Sequence, residues 1–233
     1  MMTIRALAAA WVVSFAVRAE LPPLVPRDVL FGNPVRASPL ISPDGQSIAW
    51  LAPDAKNVLQ VWLRGPQGEP KQITHDKSRG IRTHAFAHDG RTLLYLQDAG
   101  GDENFHVFGV DLQSGNVRDY TPFEGVRAQL GALRPEVPDT VLVELNVRDR
   151  QAFDVWRLDL RSGGLTLDTQ NPGDAAGWVI DERLNVQGLQ ALLDDGSGEV
   201  RVRDGAGKPF RTVLKYSADD DVDVLAVHGT SIV

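Results

Sequence analysis

The chain has 233 residues, 42% of them hydrophobic and 24% charged, the balance of a globular protein long enough to bury a core. Its formal net charge of −7 argues against a nucleic-acid partner. With no cysteine it can form neither a disulfide framework nor a thiolate metal site.

The first stretch reads as an export signal. Arg5 precedes an apolar run from Ala6 to Val17, and Val17 and Ala19 are small residues three and one positions before a cut ahead of Glu20. Residues 1–19 are therefore expected to be a signal peptide, because the run is short for a membrane span; an uncleaved N-terminal anchor is the alternative. Cleavage would give a periplasmic or secreted protein with no membrane attachment. Residues 20–40, with Pro22, Pro23, Pro26, Pro34 and Pro39, read as an extended lead-in holding one helical turn at Arg27-Asp28-Val29-Leu30-Phe31.

A unit then recurs. Ser42-Pro43-Asp44-Gly45 launches the apolar run Ile48-Ala49-Trp50-Leu51, and His88-Asp89-Gly90 launches Leu93-Leu94-Tyr95-Leu96, with the two glycines 45 residues apart. Asp can bond its own backbone and Gly tolerates a positive φ, so both read as tight turns into strands. A further strand follows in each unit: Leu59–Leu63, Phe105–Val110 and Phe153–Leu158. Hairpin turns come next at Asp111-Leu112-Gln113-Ser114-Gly115 and Asp159-Leu160-Arg161-Ser162-Gly163, offset by 48. A last strand closes on Thr74, Thr121 and Thr169. The third unit has Arg134-Pro135-Glu136-Val137-Pro138-Asp139 where Asp-Gly would stand. A weaker fourth begins near Trp178, runs through Val200–Asp204 and turns at Gly205-Ala206-Gly207.

Short strands repeating at such a period indicate a propeller, one repeat per four-stranded blade. The expected fold is all-β: an incomplete β-propeller over 41–233, with about four four-stranded blades at about 41–80, 86–125, 133–172 and 178–215. A stub of a fifth at 216–233 would carry a strand at 222–227. Runs such as Leu93–Leu96 are apolar on both faces, as expected of a blade sandwiched between neighbours. Trp50, Trp62 and Trp156 take the apolar strand slots and are expected in blade cores.

The lead-in and first unit together resemble a known family. Val25-Pro26-Arg27-Asp28-Val29-Leu30-Phe31-Gly32-Asn33-Pro34, followed by Ser38 to Gly45, is similar to the start of secreted bacterial serine peptidases of the prolyl oligopeptidase family, the dipeptidyl-peptidase and acylaminoacyl-peptidase type. Gly101-Asp102-Glu103-Asn104-Phe105-His106 and Thr121-Pro122-Phe123-Glu124-Gly125-Val126 also resemble that family's propeller, over about residues 25–213. The Ser-Pro-Asp-Gly turn is shared with TolB-like propellers. The resemblance implies a non-catalytic propeller that gates peptide access to an α/β-hydrolase domain with a Ser-Asp-His triad. It also implies that Asp102 and Glu103 are candidate substrate-binding residues, since propeller carboxylates in some relatives hold the substrate's free amino terminus. His88 departs from the family by replacing the usual Pro of the turn.

The chemistry of catalysis is not legible in these residues. A nucleophile elbow needs Gly-x-Ser-x-Gly, and no such pentapeptide occurs. The late pair His228 and Ser231 has no helix after it. His84 and His88 flank a turn rather than share a helix face, so they do not form a zinc pair; His75 and His106 read as solvated or partly packed. Asp219-Asp220-Asp221 with Asp223 lacks the spacing of a calcium loop. Gly205-Ala206-Gly207-Lys208 is followed by Pro209 where a phosphate loop needs Ser or Thr.

The sequence therefore predicts a chain that is not itself an enzyme, takes no cofactor or metal, and lacks the hydrolase domain of its relatives. It would meet a peptide substrate only within the intact family. Open propeller edges would favour self-association. The alternative function is a free-standing TolB-like module that binds other proteins.

Overall fold

The computed structural model describes residues 23–32, 35–220, 222–224, 227–228 and 231–232. Residues 1–19, with the expected signal peptide, lie outside them. The chain divides into two compact units, Met1–Gly32 and Asn33–Val233. In the first, the expected helical turn is present as α1 (Arg27–Phe31). It starts just after Pro26, whose carbonyl accepts the N–H groups of Val29 and Leu30 at 3.1 and 3.2 Å.

The second unit contains four four-stranded antiparallel sheets, each ordered as a simple meander or its reverse. Blade 1 is β1 (Ala37–Ile41), β2 (Ile48–Pro53), β3 (Leu59–Arg64) and β4 (Lys71–Gln72). Blade 2 is β5 (His84–Phe86), β6 (Thr92–Gln97), β7 (His106–Asp111) and β8 (Val117–Asp119). Blade 3 is β9 (Ala128–Leu133), β10 (Thr140–Asp149), β11 (Ala152–Asp159) and β12 (Leu165–Thr169). Blade 4 is β13 (Ala175–Ile180), β14 (Val186–Leu192), β15 (Gly198–Val202) and β16 (Arg211–Tyr216). The all-β, partial-propeller expectation holds.

Each blade begins a few residues before the boundary read from the sequence. The Asp-Gly turn joins the first strand to the second, so the strand ahead of it belongs to the blade. That first strand is short and edge-like and can hold Pro39, which donates nothing to a ladder. Ser38 at φ 49° marks the irregularity between the Ala37↔Leu51 and Leu40↔Ala49 pairs.

The turns are built as their chemistry requires. Asp44 Oδ1 accepts the Gln46 N–H at 3.0 Å and the Ser42 hydroxyl at 2.6 Å, with Gly45 at φ 71°. Asp89 does the same work with the Thr92 N–H and hydroxyl, at 2.8 and 2.6 Å, with Gly90 at φ 69°. Blade 4 has an equivalent turn that the sequence hides. Asp181 Oδ1 accepts the N–H groups of Arg183 and Asn185 at 2.9 and 2.8 Å. Leu184, at φ 61°, stands where the other turns have glycine, and its side chain is fully buried.

Three apolar seams hold the blades together. Ala49, Leu51, Val61, Phe86, Leu93 and Tyr95 fill the seam between blades 1 and 2. Leu94, Val107, Val141, Val143 and Leu158 fill the next. Ala132, Leu142, Val155, Leu184 and Val186 fill the seam between blades 3 and 4. Leu93 and Leu94 are both wholly buried although consecutive strand residues point to opposite faces, which is what sandwiching demands.

The tryptophans divide. Trp50 is buried, whereas Trp62 and Trp156 are only half-buried. Trp62 donates its indole N–H to the Ala52 carbonyl at 3.1 Å, and the Trp156 indole N–H is buried without a partner among the described residues.

The strand expected at 222–227 is not formed as such. Val222–Val224 is irregular, 225–226 lie outside the described residues, and β17 (Val227–His228) pairs with β18 (Ser231–Ile232). The Val222 carbonyl accepts the Gln190 side-chain amide at 2.8 Å, so this segment is tied to blade 4 by a side chain rather than by a ladder.

Candidate functional site

Because every blade is a four-stranded meander, the first and third turns of each blade fall at one end of the propeller. The middle turn and the crossing to the next blade fall at the other. The Asp-Gly turns lie at the first end. The loop between β6 and β7, with Asp102 and Glu103, lies at the second.

That loop is tightly specified. Asp102 Oδ1 accepts the N–H groups of Ala99 and Asn104 at 3.2 and 3.1 Å, and its Oδ2 accepts the Asn104 side-chain amide at 3.1 Å. Burial pushes the Asp102 carboxyl up, but the bonds from Asn104 and Ala99 outweigh it and leave the group below its usual range. Asp98, itself buried, accepts the Glu103 N–H at 3.2 Å. Gly101 has φ 97°, and a Cβ there would sit 3.3 Å from the Arg79 guanidinium carbon, so only glycine suits the position. At the base of the loop, the Gln97 amide donates to Asp76 Oδ1 at 3.2 Å, tying β6 to the crossing from blade 1.

The two candidate carboxylates therefore differ in kind. Asp102 is consumed in shaping the loop. Glu103 is exposed and sits at φ 60°, an uncommon conformation for a side-chain-bearing residue. Its carboxylate makes no hydrogen bond or ion pair among the described residues, so it is free to meet a cation. Backbone strain of this kind persists where surrounding contacts over-determine it, and here Asp98 and Asp102 supply them.

At the other end, a cleft of about 800 Å³ opens between blades 1 and 2. Its floor includes Leu63, Phe86 and Leu112, and Lys71 and Arg91 stand among its polar residues. Neither Asp102 nor Glu103 lines it. Arg91 is engaged with Asp111, whose carboxyl is held down to about 2 by the Ser114 N–H first and Arg91 second.

The remaining polar motifs are structural. His106 Nδ1 lies 2.8 Å from Asp119 Oδ2, and His75 Nδ1 lies 3.1 Å from the Gln72 amide. His84 lies in a strand and is buried, with Nε2 unpartnered among the described residues. Asp220 accepts the Ser217 N–H and hydroxyl at 2.8 and 2.9 Å, closing a turn. Among the described residues no three His, Asp or Glu side chains are grouped to hold a metal. Ser231 falls in β18, and Asp221 lies outside the described residues.

No protein-family model matches the chain. It is 41% identical over 204 residues to dipeptidyl aminopeptidase BIII of Pseudoxanthomonas mexicana, a match covering 83% of this chain and 29% of that protein. The chain thus spans less than a third of that relative's length. Among solved structures it is similar to the β-propeller domain of the Trilobed protease from Pyrococcus furiosus. That likeness has a TM-score of 0.52 at 16% identity and covers 77% of this chain and 57% of that one. TolB from Acinetobacter baumannii gives a TM-score of 0.52 at 17% identity, covering 77% of this chain and 43% of that one. By fold the chain is a propeller, and by sequence it is a relative of a dipeptidyl aminopeptidase.

Proposed function

We infer that this chain is the propeller portion of a secreted serine peptidase of the prolyl oligopeptidase family, where it gates the access of peptides to a hydrolase. The single observation that carries the reading is the 41% identity to a dipeptidyl aminopeptidase along 204 residues, which run through the propeller repeats. The absence of any Gly-x-Ser-x-Gly pentapeptide in the 233 residues supports a non-catalytic role for this portion.

In this reading Glu103 faces incoming peptide and pairs with its terminal ammonium, while Asp102 holds the loop in shape. A charge-assisted hydrogen bond of that kind is stronger than a neutral one and would favour free N-termini. The export pattern of residues 1–19 supports action in the periplasm or outside the cell. A second reading, a free-standing protein-binding propeller, draws support from the likeness to TolB.

The test of the non-catalytic role is direct. The purified chain is incubated with dipeptidyl-nitroanilide substrates and with a serine-reactive fluorophosphonate. Neither turnover nor labelling is expected. Turnover abolished by Ser231→Ala would overturn the reading.

A further inference from the structure

A second cavity, of about 570 Å³, lies between β9 and β13, the first strands of blades 3 and 4. Its size falls within the roughly 300–1,000 Å³ of small-molecule sites. Three of its lining side chains carry the chemistry: Arg134, Glu144 and Trp178. We propose that this cavity binds a small zwitterion, a free α-amino acid or a dipeptide, with its ammonium on Glu144 and its carboxylate on Arg134.

Glu144 is the unusual group. It sits in β10 among Leu142, Val143 and Leu145, all buried, on a strand whose partners are β9 and β11. Burial pushes its carboxyl upward, and the only opposing influence is a hydrogen bond from the Trp178 side chain; no cation contributes. The Glu144 side chain is half-buried and opens onto the cavity, where a ligand ammonium would supply a counter-charge that no cation among the described residues provides.

Arg134 supplies the complement. Its Nη1 donates to the Leu133 carbonyl at 3.1 Å and its Nη2 to the Ile180 carbonyl at 3.5 Å, which parks the guanidinium across the strands of both blades. Neither bond is to an acid, and further N–H donors of the five remain for a carboxylate. Arg134 and Glu144 line one cavity, yet they do not neutralise each other. Two opposite charges so placed suit a ligand that carries both. Leu130 and Ile180 add apolar wall for a side chain. This site is independent of the peptidase reading, because it is lined by blades 3 and 4 and by Val224 of the segment that follows them.

The full chain is titrated calorimetrically with glycyl-leucine, with N-acetyl-glycyl-leucine, which lacks the ammonium, and with glycyl-leucinamide, which lacks the carboxylate. Glycyl-leucine is expected to bind, and each capped analogue to bind at least about tenfold more weakly. Glu144→Gln and Arg134→Gln should each weaken glycyl-leucine by a similar factor, with thermal unfolding confirming that the variants are folded. The capped analogues need no variant, so the test stands even if Glu144→Gln fails to fold. No binding of glycyl-leucine at millimolar concentration would overturn the proposal. So would equal binding of both capped analogues, or folded variants with unchanged affinity.

Discussion

The backbone N–H of Val61 is held by the hydroxyl of Thr74 at 2.8 Å, thirteen residues away along the chain. The same contact joins Val107 to Thr121 at 2.9 Å in the next blade. In blades 1 and 2 the threonine that ends the unit thus replaces a ladder acceptor where the fourth strand has run out, whereas Thr169 lies within β12 and its hydroxyl donates to Asp168 Oδ2 at 2.7 Å. In blade 1 the threonine's own proton goes to Gln60 Oε1 at 2.9 Å, and that amide in turn donates to the Asp76 carbonyl at 2.7 Å.

Thr74→Val keeps the shape but leaves the Val61 N–H without an acceptor in a fully buried site. The expected loss is about 1–3 kcal/mol in urea unfolding, the cost of a buried unsatisfied polar group. Thr74→Ser should recover most of it. An unchanged midpoint for Thr74→Val would mean that the bond is not used.

Leu184 trades a strained backbone for a buried side chain. Its φ of 61° matches that of Gly45 and Gly90, but its side chain fills the seam between blades 3 and 4. Leu184→Ala should cost about 2–5 kcal/mol, as for other buried leucines. Leu184→Gly would lose the same packing while relieving the backbone, so it should be no worse than Ala. Calorimetric melting of the two variants checks the order.

Acid should weaken the fold in two windows. Burial holds the His84 imidazole below its usual 6.5, so the unfolded chain takes up the proton first. Stability is then full above about pH 6.5 and falls as the pH drops below it. Glu199 is held down to about 2 from 4.5 by Lys215, then Arg201 and Thr212. Its contribution is present above pH 4.5 and disappears as the pH falls through about 2. Urea midpoints measured from pH 7.5 to 5 should decline for the natural chain and decline less for His84→Leu.

The outer faces should drive association. Ile41 and Ile48 are cross-strand partners on the side of blade 1 away from blade 2, and are 69% and 46% exposed. Leu192 and Leu214, on the side of blade 4 opposite Trp178, are exposed at 60% and 47%. Contiguous exposed apolar surface favours self-association. Light scattering after size exclusion should give a mass above 25.4 kDa, the mass of one chain. A monomer at all concentrations would count against it.

Much of the fold was legible because turns carry their chemistry openly. Asp44-Gly45, Asp89-Gly90, Asp111–Gly115 and Asp159–Gly163 each name a bend that only a few residue types make. What hid was chemistry carried by an unexpected residue. Leu184 does a glycine's job, so blade 4 looked like a faint copy. In blade 3, tandem turns from Arg134 to Val137 and from Val137 to Thr140, at 3.2 and 3.1 Å, replace Asp-Gly. The first strands pair on one side only, so their sequences need little β-character. The site was legible only as a loop: Asp102 and Glu103 stand side by side in the sequence, and only the backbone amides around them separate a shaping carboxylate from a free one. Glu144 gave no signal, because one acid within an apolar strand reads as its solvent-facing position.

The central claim, a propeller that serves a dipeptidyl-peptidase-type hydrolase, is tested most directly by exchange. This chain's propeller replaces the matching region of dipeptidyl aminopeptidase BIII, with and without Glu103→Gln. The folded chimera is predicted to keep dipeptidyl aminopeptidase activity, and Glu103→Gln to raise its KM by about tenfold or more, as loss of one charge-assisted contact would. A folded chimera with no activity, or one whose KM ignores Glu103, would contradict the account.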